Sequence, residues 1–401
     1  MVIRLSLNSK KLDRIPPFLI QKALQTAQEL ESKGEKLIHL ETGEPEVTTP
    51  QHIINAAYDA MQKGFTHYTS SRGILELRQA IAQRLSVDYG LEANPKKEIL
   101  PTPGAKYAIF CSILATVEEG QEVIIATPHW TAYENAIICA GAVPVMAHLK
   151  ELDSSFSLDI ETIERAITER TRIIAVNLPN NPTGAVATDR DVEDLADIVK
   201  KHDDMLVLSD EVYDKLAYDG HKHICLKTHP GLAAKTILVG SLSKSYAMTG
   251  WRLGYAVADE RIISAMVKIQ EGTTTHPTSF VQKAGVAALQ GPQDHVEGMR
   301  KEYETRRRVL VGGLNEIPGV KCGMPQGAMF AFPDVSKITN SSLELSEYLL
   351  REAKVVTVPG IGFGNAGEGH LRLSFSNTLE NIDAALENIK AAMEKLPVNL
   401  C

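Results

Sequence analysis

The sequence predicts an α/β fold, a large and mainly parallel sheet flanked by helices, joined to a smaller α+β domain. Two observations predict it. From about residue 100 to 260, short β-branched apolar runs alternate with longer amphipathic ones. Continuous apolar strands separated by helices require a sheet that is covered on both faces. After about residue 279 the texture changes to a long helical stretch, several short strands and a closing helix.

The elements follow in order. EVIIAT, RIIAVNL, MLVLSD, TILVGS and LGYAVA are short, apolar and rich in β-branched residues, and read as buried strands. AKYAIFCSILATV and DVEDLADIVKKH read as helices; Thr188, with Asp191 three residues on, is a capping box that opens the second. Further along, FVQKAGVAALQ and VEGMRKEYETRRRVLVGGLNE predict helices, and AMFAFPD, VVTVPG and LRLSFS predict strands. ENIDAALENIKAAMEKL predicts the last helix. Residues 1 to about 48 are too few to fold alone and are expected to pack with the C-terminal part. The expected division is a large domain over 49–290 and a small one made of 1–48 and 291–401.

Composition narrows the class. A chain of 401 residues, 44% hydrophobic and 23% charged, is that of a globular protein with a large core. Its net charge of −8 argues against a non-specific nucleic-acid binder. No apolar run approaches the length of a membrane span, and the first residues lack the pattern of a signal peptide. Five scattered cysteines without a CxxC pair fit reduced thiols in the cytoplasm, with no metal site.

In an open α/β sheet, ligands bind beyond the carboxyl ends of the strands. After IIAVNL comes PNNPTG, with Asn180, Asn181 and Gly184; after LVLS comes DEVY, with Asp210 and Tyr213. After TILVG comes SLSK, with Ser241 and Lys244. Singly, each has a structural reading: an Asn-Pro turn, a helix N-cap, a solvated lysine. Together they suit one pocket. A lysine amine adds to a carbonyl, and a carboxylate can keep a pyridine nitrogen protonated. Arg252, serine hydroxyls and the helix opened by Gly104, Ala105 and Lys106 could hold a phosphate. A pyridine aldehyde carrying a phosphate is pyridoxal 5′-phosphate.

SLSKSYAMTGWRLGYA resembles the cofactor-lysine signature of the class I and II aminotransferases, the aspartate aminotransferase family of fold-type I enzymes. ETGEPE, THYTSSRGILELRQAIA, PGAK, TPHWTAY, NLPNNPTG, SDEVY, PQGAMFAF and LRLSFS also stand in family order. The resemblance implies a seven-stranded sheet and a set of roles. Lys244 would carry the cofactor and move the substrate proton; Asp210 would face the pyridine nitrogen, and Asn181 and Tyr213 the ring oxygen. Ser241, Ser243, Arg252 and the backbone of Ala105 and Lys106 would hold the phosphate, with Trp130 stacked on the ring. Arg372 would pair with the substrate α-carboxylate, beside Gly43, Trp130 and Asn181. Tyr68 would reach the phosphate of a neighbouring subunit, which implies an obligate homodimer with shared active sites.

Substrate identity stays open at this point. The resemblance associates Lys106 with a distal carboxylate, yet a first-turn lysine can equally be an exposed one. Phe18 and Ile20, in IPPFLIQ, stand where an apolar lid would favour aromatic or aliphatic substrates; they could also be a docking staple. His129 before the tryptophan is a departure whose effect the sequence leaves open. GFGNAG precedes a strand rather than a helix, so it reads as a turn entering the strand of Arg372, not a dinucleotide loop. His221, His223 and His229 read as a solvated loop, and Arg306, Arg307 and Arg308 as a solvated helix face.

The leading expectation is an aminotransferase working by a ping-pong cycle between an L-amino acid and a 2-oxo acid, with glutamate, aspartate or 2-oxoglutarate on one side. A lyase or amino-acid oxidase would share Lys244, Asp210 and Arg372. A non-enzymatic regulator would need an added DNA-binding module, for which the N-terminal segment is too short.

Overall fold

The computed structural model describes Ser9, residues 13–16 and residues 18–396. Its centre is a sheet of seven strands: β1 (Ile99–Thr102), β2 (Glu122–Thr127), β3 (Val143–His148), β4 (Thr171–Asn177), β5 (Leu206–Asp210), β6 (Thr236–Ser241) and β7 (Gly254–Val257). Their order is β1-β7-β6-β5-β4-β2-β3. β7 runs antiparallel to both its neighbours, and the remaining pairs are parallel. Five of the seven strands match the apolar runs of the sequence. The two that those runs missed, β1 and β3, are the sheet edges, each carrying a proline (Pro101 and Pro144). Proline cannot donate to the ladder and is confined to such edges, which also hides them from an apolar pattern.

Successive residues of a strand face opposite sides, and the two helical layers take them in turn. Val123, Ile125, Ile173 and Ala175 join one core with helix Ala105–Thr116. Ile124, Ala126, Ile174 and Val176 join the other with helix Asp189–Lys200. The capping box at Thr188 and Asp191 opens that second helix as expected.

A separate core is built from helices Asp294–Asn315, Ser342–Glu352 and Leu379–Met393 over three short antiparallel strands, Phe330–Ala331, Leu371–Ser374 and Val358–Pro359. Ile38–His39 pairs in parallel with Val355–Val356, so the N-terminal segment is stitched to this C-terminal core. VVTVPG, one strand by its sequence, is split at Thr357 into two strands of different sheets.

Two charged segments differ from the solvated faces expected of them. Arg307 is fully buried, donating to Asp219 Oδ2 and to the Pro325 carbonyl at 2.6 Å each, with its guanidinium 4.7 Å from the Tyr218 ring. The His223 side chain is only 5% exposed, with Nε2 2.7 Å from Glu211 Oε2. In both cases a carboxylate beyond the local segment supplies the compensating charge, which local composition cannot reveal. GFGNAG does form a turn before the strand of Arg372. No helix among the described residues is long and apolar enough to cross a membrane.

Candidate active site

Three parallel strands deliver their polar ends to one place. β5 ends in Asp210, which is paired in register with Asn177 at the end of β4. β6 ends in Ser241, three residues before Lys244. They open onto a cavity of about 280 Å³ also bounded by Ala105, Lys106, Trp130 and Tyr213. Asn181, Ser243 and Arg252 complete the side of the large sheet, and Gly43, Phe330 and Arg372 close the opposite side. Every residue given a cofactor or substrate role from the sequence therefore meets there except Tyr68 and Ile20. Tyr68 is 88% exposed, away from this cavity, with its ring edge-on to His276. Ile20 belongs to helix Leu19–Glu31, but its side chain lies outside the described residues.

Asp210 is buried, and burial pushes its carboxyl up to about 6 against the opposing hydrogen bond from Tyr133. The Tyr133 hydroxyl donates to Oδ2, and the Val212 N–H reaches Oδ1 at 3.4 Å. Asn177 braces the same turn, donating from Nδ2 to the Asp210 carbonyl at 3.0 Å and accepting from the Asn181 N–H at 2.8 Å.

Lys244 donates to the Gly43 carbonyl. Burial brings its amine down to about 8; Glu44 and Asp210 oppose the shift, while Arg372 and Arg252 add to it. Such an amine is neutral in a useful fraction near neutral pH, as a nucleophile or base requires.

Arg372 is 2% exposed and donates to Asn181 Oδ1 at 2.9 Å and to the Glu41 carbonyl. Its guanidinium lies 4.3 Å from the Phe330 ring and 5.0 Å from the Phe363 ring. Burial lowers its pKa to about 10. Its Nε has no partner, and among the described residues no carboxylate side chain hydrogen-bonds the guanidinium. A buried cation in that state is matched to an anion from outside.

The start of helix Ala105–Thr116 forms a cradle. A Cβ on Gly104, whose φ is +87°, would lie 2.5 Å from Arg252 Nη2, and one on Gly254 would lie 2.5 Å from the Ala105 N. Glycine at both places lets the helix start settle on β7 beside the guanidinium. No side chain caps that helix, so its first N–H groups are available, and Ser241 and Ser243 stand across from them. One guanidinium, two hydroxyls and a helix N-terminus fit a phosphate group.

Lys106 is exposed as a residue, but its ammonium lies 4.8 Å from the Phe18 ring and 5.0 Å from the Trp130 ring. Desolvation there, with the charge of Arg252, lowers its pKa below the usual lysine range. Among the described residues no three or more His, Cys, Asp or Glu are grouped to hold a metal.

Sequence reasoning missed Tyr133, Asn177 and Phe330. A tyrosine in the first turn of a short helix with an apolar end needs a partner for its hydroxyl if it is buried, and that is the one signal that could have marked Tyr133.

A lysine amine, a buried carboxylate and a phosphate cradle at the strand ends of this α/β sheet define the aminotransferase class of fold. Residues 35–389 match the family model "Aminotransferase class I and II", and the chain belongs to that family. It is 40% identical over 380 residues to aromatic-amino-acid aminotransferase 2 of Thermococcus litoralis, covering 94% of this chain and 96% of that one. It is 38% identical over 384 residues to the aspartate aminotransferase of Bacillus subtilis, covering 94% and 96%. The solved Thermus thermophilus aspartate aminotransferase with maleate superposes with a TM-score of 0.90 at 36% identity, covering 96% of this chain and 99% of that one. The protein is an aminotransferase.

Proposed function

We propose that the cavity holds pyridoxal 5′-phosphate and that the enzyme passes an amino group between an L-amino acid and a 2-oxo acid. The observation that carries this reading is the meeting of Lys244, Asp210 and Arg372, from three separate segments, in one pocket beside the cradle of Arg252 and Ala105. Bound there, the cofactor supplies an electron sink for the bonds at the substrate Cα.

This chain's residues do the rest. The Ser241 and Ser243 hydroxyls, the Arg252 guanidinium and the Ala105 and Lys106 N–H groups bind the phosphate. Asp210, oriented by Tyr133, favours a protonated ring nitrogen; Asn181 and Tyr213 bind the ring oxygen, and Trp130 covers the ring. Arg372 takes the α-carboxylate as a bidentate pair, with the Gly43 backbone beside it. Lys244 Nζ carries the cofactor and moves a proton at the substrate Cα. Trp130 and Phe330 help keep water from the reacting atoms.

Residues 49–290 serve as the cofactor domain in this reading, and 1–48 with 291–401 as the small domain. Tyr68, exposed here, completes the site of a second copy, so the working unit is a homodimer. Location in the cytoplasm is supported by free thiols at Cys111, Cys139, Cys225 and Cys322.

For the substrate, the Lys106 ammonium beside Trp130 supports a dicarboxylate on one side of the reaction, with glutamate and 2-oxoglutarate as the pair. The Thermus thermophilus aspartate aminotransferase was solved with maleate, itself a dicarboxylate. Phe18 over the same ammonium supports acceptance of an aromatic side chain on the other side of the reaction.

The test is the visible absorption spectrum of the purified protein loaded with pyridoxal 5′-phosphate, beside Lys244→Ala. An amino acid alone should change the spectrum, and a 2-oxo acid should restore it. Steady consumption of the amino acid without that stored change would point to a lyase or oxidase and overturn the reading.

A further inference from the structure

Trp130 and Tyr133 belong to one short segment, residues 128–134, made of the turn that follows β2 and the first turn of helix Ala132–Cys139. Within it His129 is 2% exposed. Its Nε2 lies 2.9 Å from Glu134 Oε1 and its Nδ1 lies 3.0 Å from Thr127 Oγ1. A carboxylate only accepts, so Nε2 carries the hydrogen. The imidazole thus spans the segment, from the last residue of the strand to the first turn of the helix.

The same residue also reaches across to the other side of the pocket. Its backbone N–H donates to the Phe363 carbonyl at 3.0 Å. A Cβ on Gly364 would lie 3.1 Å from His129 Cε1 and 3.3 Å from Thr127 Oγ1, so that loop is seated directly on the ring. Phe363 in turn packs its own ring 5.0 Å from the Arg372 guanidinium.

We propose that His129 is a positioning residue for the reaction. Its imidazole braces the segment bearing Trp130 and Tyr133, on which the loop that backs Arg372 is seated. In doing so it sets the spacing between the face that covers the cofactor and the arginine that takes the substrate carboxylate. This rests on the reading of the pocket given under Proposed function. Phenylalanine would fill the same space but could not join Thr127 to Glu134. Glutamine at position 134 would still accept from Nε2, whereas alanine would not.

The test begins on protein without cofactor, in a Trp251→Phe background that leaves Trp130 as the one tryptophan of the two in the sequence. His129→Phe and Glu134→Ala should each red-shift Trp130 emission and make it more accessible to acrylamide, while Glu134→Gln should match the parent. In the loaded enzyme the first two variants should raise KM for the amino donor about tenfold with kcat changed much less. Bound-cofactor absorbance per chain should stay equal to the parent's. The double variant should be no worse than either single one, since both break the same link. Emission, quenching and KM all unchanged in both variants would overturn the proposal. If His129→Phe does not fold, Glu134→Ala decides alone. A parent that gains no absorbance from pyridoxal 5′-phosphate would sink the proposed function, and the fluorescence arm would still judge the clamp.

Discussion

Arg372 donates a hydrogen bond to Asn181 Oδ1 at 2.9 Å, joining residues 191 positions apart in the chain. One stands on a strand of the C-terminal core, the other on the turn after β4, so the contact bridges the two sides of the pocket. Asn181 thereby fixes the plane of the guanidinium. Arg372→Lys keeps a cation but loses the planar fork, and should raise KM for amino acids about 100-fold. Initial rates would show it, with bound-cofactor absorbance unchanged; an unaltered KM would refute the carboxylate role.

The second prediction concerns Lys244, whose buried amine is brought down to about 8. The neutral form is the reactive one, so it gains with rising pH. The rate at which the apoprotein captures pyridoxal 5′-phosphate should climb with pH and level off above about 8. Lys244→Ala should fold and yet lose more than about a thousandfold in turnover. A flat pH profile would show that another group limits capture.

Asp210 trades stability for function. Its carboxyl is raised from 3.8 to about 6 by burial, so between those values the folded apoprotein binds more protons than the unfolded chain. Stability then falls as pH rises through that window and stays lower at pH 7, by about 3 kcal/mol. Asp210→Asn should remove the slope, raising the apoprotein Tm at pH 7 while weakening cofactor binding. Calorimetry between pH 4 and pH 7 decides it; equal slopes in both proteins would count against the buried charge.

Gly104→Ala tests the phosphate cradle. Its Cβ would meet Arg252 Nη2 at 2.5 Å, and its φ of +87° disfavours any side chain. Affinity for the cofactor should drop at least about tenfold, from the strain and the displaced guanidinium. Equilibrium titration measures this directly, and an unchanged Kd would place the phosphate elsewhere.

Lys106 decides substrate preference in the proposed reading. Lys106→Met keeps contact with Phe18 and Trp130 but removes the charge. The ratio of kcat/KM for glutamate to that for phenylalanine should fall about tenfold or more, the worth of one charge-assisted hydrogen bond. An unmoved ratio would assign the distal carboxylate to another group.

Much of this protein could be read without coordinates, because its chemistry is local in the chain. Asp210, Ser241 and Lys244 each follow a buried apolar strand, and a parallel sheet must present those ends together. The motifs around them resemble one family nearly from end to end. Five central strands and the Thr188 capping box were equally legible, being set by short-range pattern.

The remainder depends on residues that meet only when the chain is folded. β1 and β3 are edge strands with prolines and weak apolar patterns, and their place depends on neighbours already in the sheet. Arg307 and His223 look like surface charges in the sequence, but Asp219 and Glu211 make their burial tolerable. Tyr133 gains its role because helix Ala132–Cys139 brings its hydroxyl to Asp210, and His129 because the loop at Phe363 comes to rest on it. Strands, motifs and family are written in neighbouring residues, and the amino-acid order alone specifies them. Which buried charges have partners, and which side chains hold the pocket walls at their spacing, is settled by folding in three dimensions. Those contacts join segments up to hundreds of residues apart, and their energy depends on distance in space rather than along the chain.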